Sequence, residues 1–173
     1  IASVVGRGYG AFGTINTAPT ITVAKGKGTK REYDVSAMRA ILDFYKPEDC
    51  FVVLERSQAF PDQGAVSNFT TGHGYGLWRG LIVGLGFAYE TVHPRTWKGA
   101  MLLDSDKAKS FLLAKQLFPQ LADSFKKPKG RVDSLDGRAE AILLAEWARR
   151  KNESGGGGGS LLDSRSPSAL DCP

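Results

Sequence analysis

Two acidic side chains near the start of the last predicted helix have a spacing that suits chemistry. Asp136 and Glu140 are four residues apart in a helix predicted over residues 134–151, so they lie one turn apart on one helix face. That face continues through Leu143 and Leu144, which we expect to be buried. Two like charges at a semi-buried surface repel each other and resist desolvation, and a hard cation such as Mg²⁺ removes both penalties. The pair is therefore a candidate metal site.

A third carboxylate follows the continuous apolar run of residues 51–54. Such a run predicts a strand buried on both faces of a mixed sheet, and Glu55 stands at its end. Carboxylates around divalent ions suit phosphodiester cleavage, because bound metal activates water and stabilises the leaving oxygen. Glu55, Asp136 and Glu140 are thus the predicted metal ligands and catalytic residues.

The same three residues also allow a purely structural interpretation. Glu55 could pair with Arg56, and Asp136 could be a helix-start residue favoured by the helix dipole. Glu140 could form a surface ion pair with Arg138 or Lys151.

The elements that must position these side chains alternate between strands and helices. We expect strands over residues 1–5, 11–16, 20–24, 32–35, 51–54 and 90–93. The basic stretch 25–31 is expected to form a hairpin tip or loop. We expect one helix capped by Ser36 and a short one capped by Thr96, and further helices over residues 74–86, 106–118 and 134–151. This order predicts an α/β domain, and the ribonuclease H-like fold, a five-stranded mixed sheet flanked by helices, is one of few small folds with such an order.

Charge is unevenly distributed along the 173 residues. Residues 152–173 hold one basic and three acidic side chains, which leaves 22 basic against 15 acidic side chains in residues 1–151. A basic folded part suits a polyanionic partner, because phosphates and the counterions they release favour Lys and Arg, although ordinary solubility charge would look the same. We expect one folded domain over 1–151 and a disordered Gly/Ser/Asp/Pro-rich tail over 152–173. No apolar stretch has the length needed to span a membrane.

Several side chains have the character of nucleic-acid contacts. Phe60, Phe69 and Tyr75 flank a glycine-bearing segment and could stack on unstacked bases, although core packing is an equal alternative for Tyr75. Basic side chains that could line a phosphate-binding face are Arg79, Lys126, Lys127, Lys129, Arg131 and Arg138.

Six short segments in order carry a family resemblance. They are residues 55–61 (ERSQAFP), 69–80 (FTTGHGYGLWRG), 92–98 (VHPRTWK), 106–110 (DKAKS), 117–119 (LFP) and 136–141 (DGRAEA). Together they resemble the RuvC-type Holliday junction resolvases of chloroplasts, phages and bacteria, and the match covers most of residues 51–151. The resemblance implies a ribonuclease H-like nuclease domain that acts as a homodimer and cuts four-way DNA junctions.

The resemblance also implies roles for individual residues. Glu55 matches a strand glutamate, and Asp136 and Glu140 match two ligands on the last helix, which in that family bind two Mg²⁺ ions; Mn²⁺ is a possible substitute. Lys98 is implied to hold the scissile phosphate or to stabilise its transition-state charge, a plain surface lysine being the alternative. A chloroplast address follows from the same resemblance, with a bacterial or phage-host cytoplasm as the alternative.

One residue of the family pattern has no counterpart here. The family carries an aspartate at the end of its first strand, and residues 6–11 of this chain read GRGYGA instead. A second function is therefore kept open: a catalytically degenerate protein of the same fold that binds branched DNA without cutting it.

Overall fold

A computed structural model describes residues 2–5, 12–15, 18–104, 106–125 and 136–154. These ranges contain six strands: β1 Ala2–Val5, β2 Phe12–Ile15, β3 Thr20–Lys25, β4 Gly28–Tyr33, β5 Phe51–Glu55 and β6 Ala88–Val92. The same ranges contain five α-helices: α1 Val35–Leu42, α2 Ala65–Gly84, α3 Pro94–Ala100, α4 Lys107–Leu117 and α5 Asp136–Ser154. Short 3-10 segments cover Pro47–Asp49 and Pro119–Phe125.

The strands pair two by two within the described residues. β1 with β2 and β3 with β4 are antiparallel, whereas β5 and β6 run parallel, with Glu55 opposite Val92. The α/β class is confirmed, because the parallel pair β5–β6 is joined by the helical crossover α2. The three strand pairs are not joined into the predicted five-stranded sheet within the described residues, so that sheet remains a prediction.

Two helices begin at other residues than predicted, because local capping hydrogen bonds determine where a helix begins. Asp34, and not Ser36, caps α1, since its carboxylate accepts from the backbone N–H of Ala37 at 2.9 Å. His93, and not Thr96, caps α3, with Pro94 at the first helical position. The predicted helix at 106–118 is confirmed by α4, which Asp106 caps.

Helix α2 begins nine residues before the predicted residue 74. The side chain of Asn68 accounts for the early start, because it accepts from the N–H of Phe60 at 3.1 Å and donates to the carbonyls of Phe60 and Gln63, each at 3.0 Å. These bonds hold the preceding loop against the first helical turn, although the Thr- and Gly-rich sequence there has low helix propensity.

Two apolar clusters form the core of the described part. In the larger cluster Trp97 of α3, Ala114 of α4 and Ile142 of α5 are fully buried. The smaller cluster lies between α2 and the β5–β6 pair and is built on Leu42, Ile82 and Phe87. Helix α5 packs against β1, β2 and β5. The strand that ends at Glu55 therefore lies under the helix that carries Glu140.

Several predictions fall on residues that the structure does not describe. Lys126, Lys127, Lys129 and Arg131, the glycine-rich segment 6–10, and residues 155–173 of the predicted tail all belong to this group. The last helix continues through Ser154, three residues past the predicted domain boundary at 151. None of the helices in the described ranges is long and apolar enough to cross a membrane.

Candidate active site

The end of strand β5 positions the first candidate carboxylate. The strand was expected to be buried on both faces, but each of its five residues is only half-buried. Its ladder with β6 extends one residue further, because the N–H of Arg56 donates to the carbonyl of Val92 at 2.8 Å. Glu55 is thus fixed where the parallel pair ends and where α3 begins on the neighbouring strand.

Helix α3 places a buried tryptophan against this carboxylate. Trp97 is 0% exposed, and its indole Nε1 donates to Oε2 of Glu55 at 2.6 Å. A hydrogen bond to a charged acceptor is shorter and stronger than one between neutral groups. The rigid ring, packed in the larger core cluster, therefore orients Glu55.

The next residue of α3 binds the second candidate carboxylate. Nζ of Lys98 lies 2.6 Å from Oε1 of Glu140 on α5, and the two side chains are only 20% and 23% exposed. The ammonium also lies 5.5 Å from the centre of the Trp97 ring, where the aromatic face attracts a cation. Because the pair is partly buried, salt screens it less than a surface pair.

Consecutive residues of one short helix therefore bind two carboxylates that are 85 residues apart in the chain. The alternative pairings of Glu55 with Arg56 and of Glu140 with Arg138 are not the bonds that the structure shows. Arg138 instead donates to the carbonyl of Ser124 at 3.2 Å. Glu55, Glu140 and Lys98, three of the four predicted catalytic residues, lie around α3.

The oxygen atoms that this site offers are of the kind that a hard cation prefers. Glu55 and Glu140 offer carboxylate oxygens, and Glu140 already holds one positive charge, the Lys98 ammonium. Within the described residues, no three His, Cys, Asp or Glu side chains cluster at metal-binding distance. Asp136, the third predicted ligand, begins α5 one turn before Glu140. The structure does not describe its side chain.

The predicted DNA-contact residues are distributed over other surfaces. Phe69 on α2 is 74% exposed and stacks on His73 with ring centres 6.0 Å apart, and Tyr33 of β4 meets the same His73 edge-on at 5.9 Å. Arg79 is exposed on the same helix and donates to the hydroxyl of Tyr89 at 3.2 Å. An exposed aromatic face and an exposed guanidinium thus share α2.

Trp97 is the site residue that sequence reasoning did not single out. Its bond to Glu55 joins residues 42 positions apart, and no local pattern encodes that contact. The available signal was the position of a tryptophan directly before Lys98 on a helix that follows a buried strand.

The class that the fold and site support is an α/β protein with one carboxylate at the end of a parallel strand pair and a second on a long helix, each bound by a residue of the same short helix. No protein-family model matches the chain. Over 105 residues the chain is 32% identical to a protein named as a chloroplastic Holliday junction resolvase in Chlamydomonas reinhardtii. The aligned part is 60% of this chain but only 11% of that protein's length. The similarity supports a loose relationship to Holliday junction resolvases.

Proposed function

We propose that this protein is a RuvC-type Holliday junction resolvase, a structure-selective endonuclease that cleaves four-way DNA junctions. The observation that carries the proposal is the convergence of Glu55 and Glu140 on Trp97 and Lys98. Two carboxylates predicted as partners from separate segments lie against one helix, and the similarity to a protein named as a resolvase gives that pair a reaction.

In this proposal Glu55, Asp136 and Glu140 would hold Mg²⁺, with Mn²⁺ as a substitute. Such an ion, when bound, activates water and stabilises the leaving oxygen of a phosphodiester. Trp97 fixes the carboxylate of Glu55 through its indole N–H. Lys98, whose ammonium neutralises Glu140, offers the charge that a scissile phosphate oxygen requires.

The proposed substrate contacts lie on α2, on α5 and in the segment 126–131. Phe69 would stack on an unpaired base near the junction centre, and Arg79 would contact phosphate. Arg138 and the lysines Lys126, Lys127 and Lys129 would extend the phosphate contacts. Two copies of the chain would form a homodimer, because a four-way junction presents two opposed strands to cut. The proposed compartment is the chloroplast, as in the name of the related protein.

The degenerate DNA-binding protein is the second candidate, and it rests on the absence of the first-strand aspartate in residues 6–11. Similarity to a protein named as a resolvase does not favour it. Loss of one carboxylate from a metal site would remove cleavage, whereas phosphate contacts would persist.

Binding and cleavage of one substrate, measured side by side, separate the two candidates. A labelled synthetic four-way junction and a linear duplex of the same sequence are incubated with the full chain, first in EDTA and then in Mg²⁺ or Mn²⁺. We expect preferential junction binding in EDTA and paired nicks on opposed strands after metal is added. Preferential binding without nicks would select the degenerate protein, and equal binding to junction and duplex would overturn both candidates.

A further inference from the structure

The turn that ends helix α3 contains a leucine where the backbone favours glycine. Leu102 has φ 57°, and it is the one non-glycine residue with positive φ in the part of the chain that the structure describes. This left-handed conformation brings Cβ close to the following carbonyl oxygen, so residues other than Gly, Asn and Asp rarely adopt it. Leu102 is therefore held in a strained conformation.

Hydrogen bonds at the end of α3 show why that conformation is required. The N–H of Leu103 donates to the carbonyl of Lys98 at 2.8 Å, and the N–H of Leu102 donates to the carbonyl of Gly99 at 3.1 Å. This pair of bonds defines a Schellman motif, in which the first residue past the helix cap is usually glycine. The turn needs a positive φ at position 102, and it does not need a side chain there.

Helix α2 ends in the same motif and supplies an internal comparison. There Phe87 donates to the carbonyl of Ile82 at 3.1 Å and Gly86 donates to Val83 at 3.0 Å, with Gly86 at φ 78°. The buried Phe87 then packs into the smaller core cluster. The chain thus uses glycine at this position in one helix and leucine in the other.

The side chain of Leu102 does not pack into the core. It is 92% exposed, the largest exposed fraction among the large apolar side chains that the structure describes. Its neighbour Leu103 is the residue that turns inward, where it packs against the larger core cluster. Leu102 combines backbone strain with full exposure of an apolar side chain, and neither stabilises the fold.

We propose that Leu102 is a DNA-contact residue, an apolar projection that packs against exposed bases of a branched DNA beside the candidate active site. The proposal rests on the proposed function, because it takes the substrate from it. Leu102 lies in the turn that follows the helix carrying Trp97 and Lys98, and the carbonyl of Lys98 accepts a hydrogen bond from Leu103 in that turn. Residues 94–109 carry four basic against two acidic side chains, which suits a polyanion better than an apolar protein surface.

The test uses Leu102→Gly, because this substitution should weaken DNA binding without lowering the stability of the fold. Glycine relieves the strain at positive φ, so Tm should stay the same or rise by about 2 °C. Loss of a contact that buries the leucine should weaken binding to a synthetic four-way junction in EDTA by about tenfold. Leu102→Asn is the second variant, because asparagine tolerates this backbone but offers no apolar side chain.

A matched control is Leu112→Ala, which removes a 58% exposed leucine from α4. We expect its junction affinity to equal that of the unchanged chain. Unchanged junction binding by both Leu102 variants, with Tm retained, would overturn the proposal while the proposed function stands. Loss of a dimer in both variants by size-exclusion chromatography would also overturn it, since a second copy would then cover the leucine. If the unchanged chain shows no preference for the junction, the proposed function fails and this inference fails with it.

Discussion

At the scale of single residues, the hydrogen bond from Trp97 fixes the orientation of the Glu55 carboxylate. The indole is fully buried and its N–H meets a carboxylate oxygen at 2.6 Å. An outer partner of this kind fixes the orientation of a functional carboxylate without contact to substrate. Under the proposed function, we therefore propose a positioning role for Trp97 and not a catalytic one.

Trp97→Phe separates that role from packing, since phenylalanine keeps an aromatic ring and loses the N–H donor. We expect the free energy of unfolding to fall by about 1–3 kcal/mol and the junction cleavage rate to fall by about tenfold or more, with junction binding in EDTA unchanged. Stability is measured by denaturant unfolding and cleavage under single-turnover conditions. Trp147→Phe is the control, because Trp147 on α5 faces Lys151 at 5.1 Å and leaves the Glu55 bond in place. Equal cleavage losses in both variants would contradict the positioning role.

The buried carboxylate of Glu146 predicts a pH dependence of stability. Burial by itself raises the pKa of Glu146, but hydrogen bonds from Arg149 at 2.8 Å and Arg150 at 2.6 Å outweigh it, so the pKa lies below its ordinary value of 4.5. A carboxyl group whose pKa is lower in the folded than in the unfolded state stabilises the fold above the unfolded pKa. The contribution disappears as pH falls below about 4.5 and through the folded pKa.

Glu146→Gln tests this prediction through the pH dependence of Tm. We expect the unchanged chain to have the higher Tm at pH 7 and the gap to shrink as pH falls from 5 toward 3. Glu153→Gln is the control at the exposed end of the same network, where Glu153 accepts from Arg149 at 2.7 Å. A gap that stays constant over this range would show that the charge of Glu146 does not stabilise the fold.

At the scale of elements, glycines on α2 have different surroundings. A Cβ on Gly74 would lie 2.6 Å from Cζ of the Tyr33 ring and closer still to its hydroxyl, whereas a Cβ on Gly76 would meet nothing within 4 Å. Gly74 thus allows the β3–β4 hairpin to approach α2 through Tyr33, which also donates to the carbonyl of Thr70 at 3.5 Å. Gly74 therefore lies at one of the contacts that Tyr33 makes with α2, beside those with Thr70 and His73.

Alanine substitutions at these two positions should therefore have opposite effects. Gly76→Ala should stabilise the protein by about 1 kcal/mol, because alanine has the higher helix propensity and space is free. Gly74→Ala should lose that gain and destabilise the protein, because the Tyr33 ring must move. Urea unfolding gives both values, and Tyr33→Ala combined with Gly74→Ala should recover the propensity gain. Equal stabilisation by both single changes would show that Tyr33 does not pack on α2.

Some elements could be predicted from sequence because their signals are local. The cap at Asp106 and the apolar spacing after it define α4, and the apolar run before Glu55 defines β5. The start of α2 was missed because it depends on side-chain bonds from Asn68 to its preceding loop, which override low propensity. Turn and cap chemistry of this kind is decided by a few atoms, and periodicity does not report it.

At the scale of the whole molecule, the site could be predicted in part. Periodicity and the strand end predicted that Glu140 and Glu55 face inward. Both residues are half-buried, and α5 does lie against β5. Their partners on α3 could not be predicted, since each bond spans 42 residues and depends on how a short helix is packed between the strand pair and α5. The single five-stranded sheet remains a prediction, as do the roles of the basic residues in the segment 126–131.

Under the proposed function, Glu55 and Glu140 belong to one catalytic site. The most direct test measures the rate of paired nicking of a four-way junction in Mg²⁺ for the unchanged chain, Glu55→Gln, Glu140→Gln and the double variant. Residues that act as one unit have strongly non-additive effects. We predict that each single change lowers the rate by about 100-fold or more and that the double change adds little. Losses that multiply in the double variant, or single variants that cut at the normal rate, would contradict the claim.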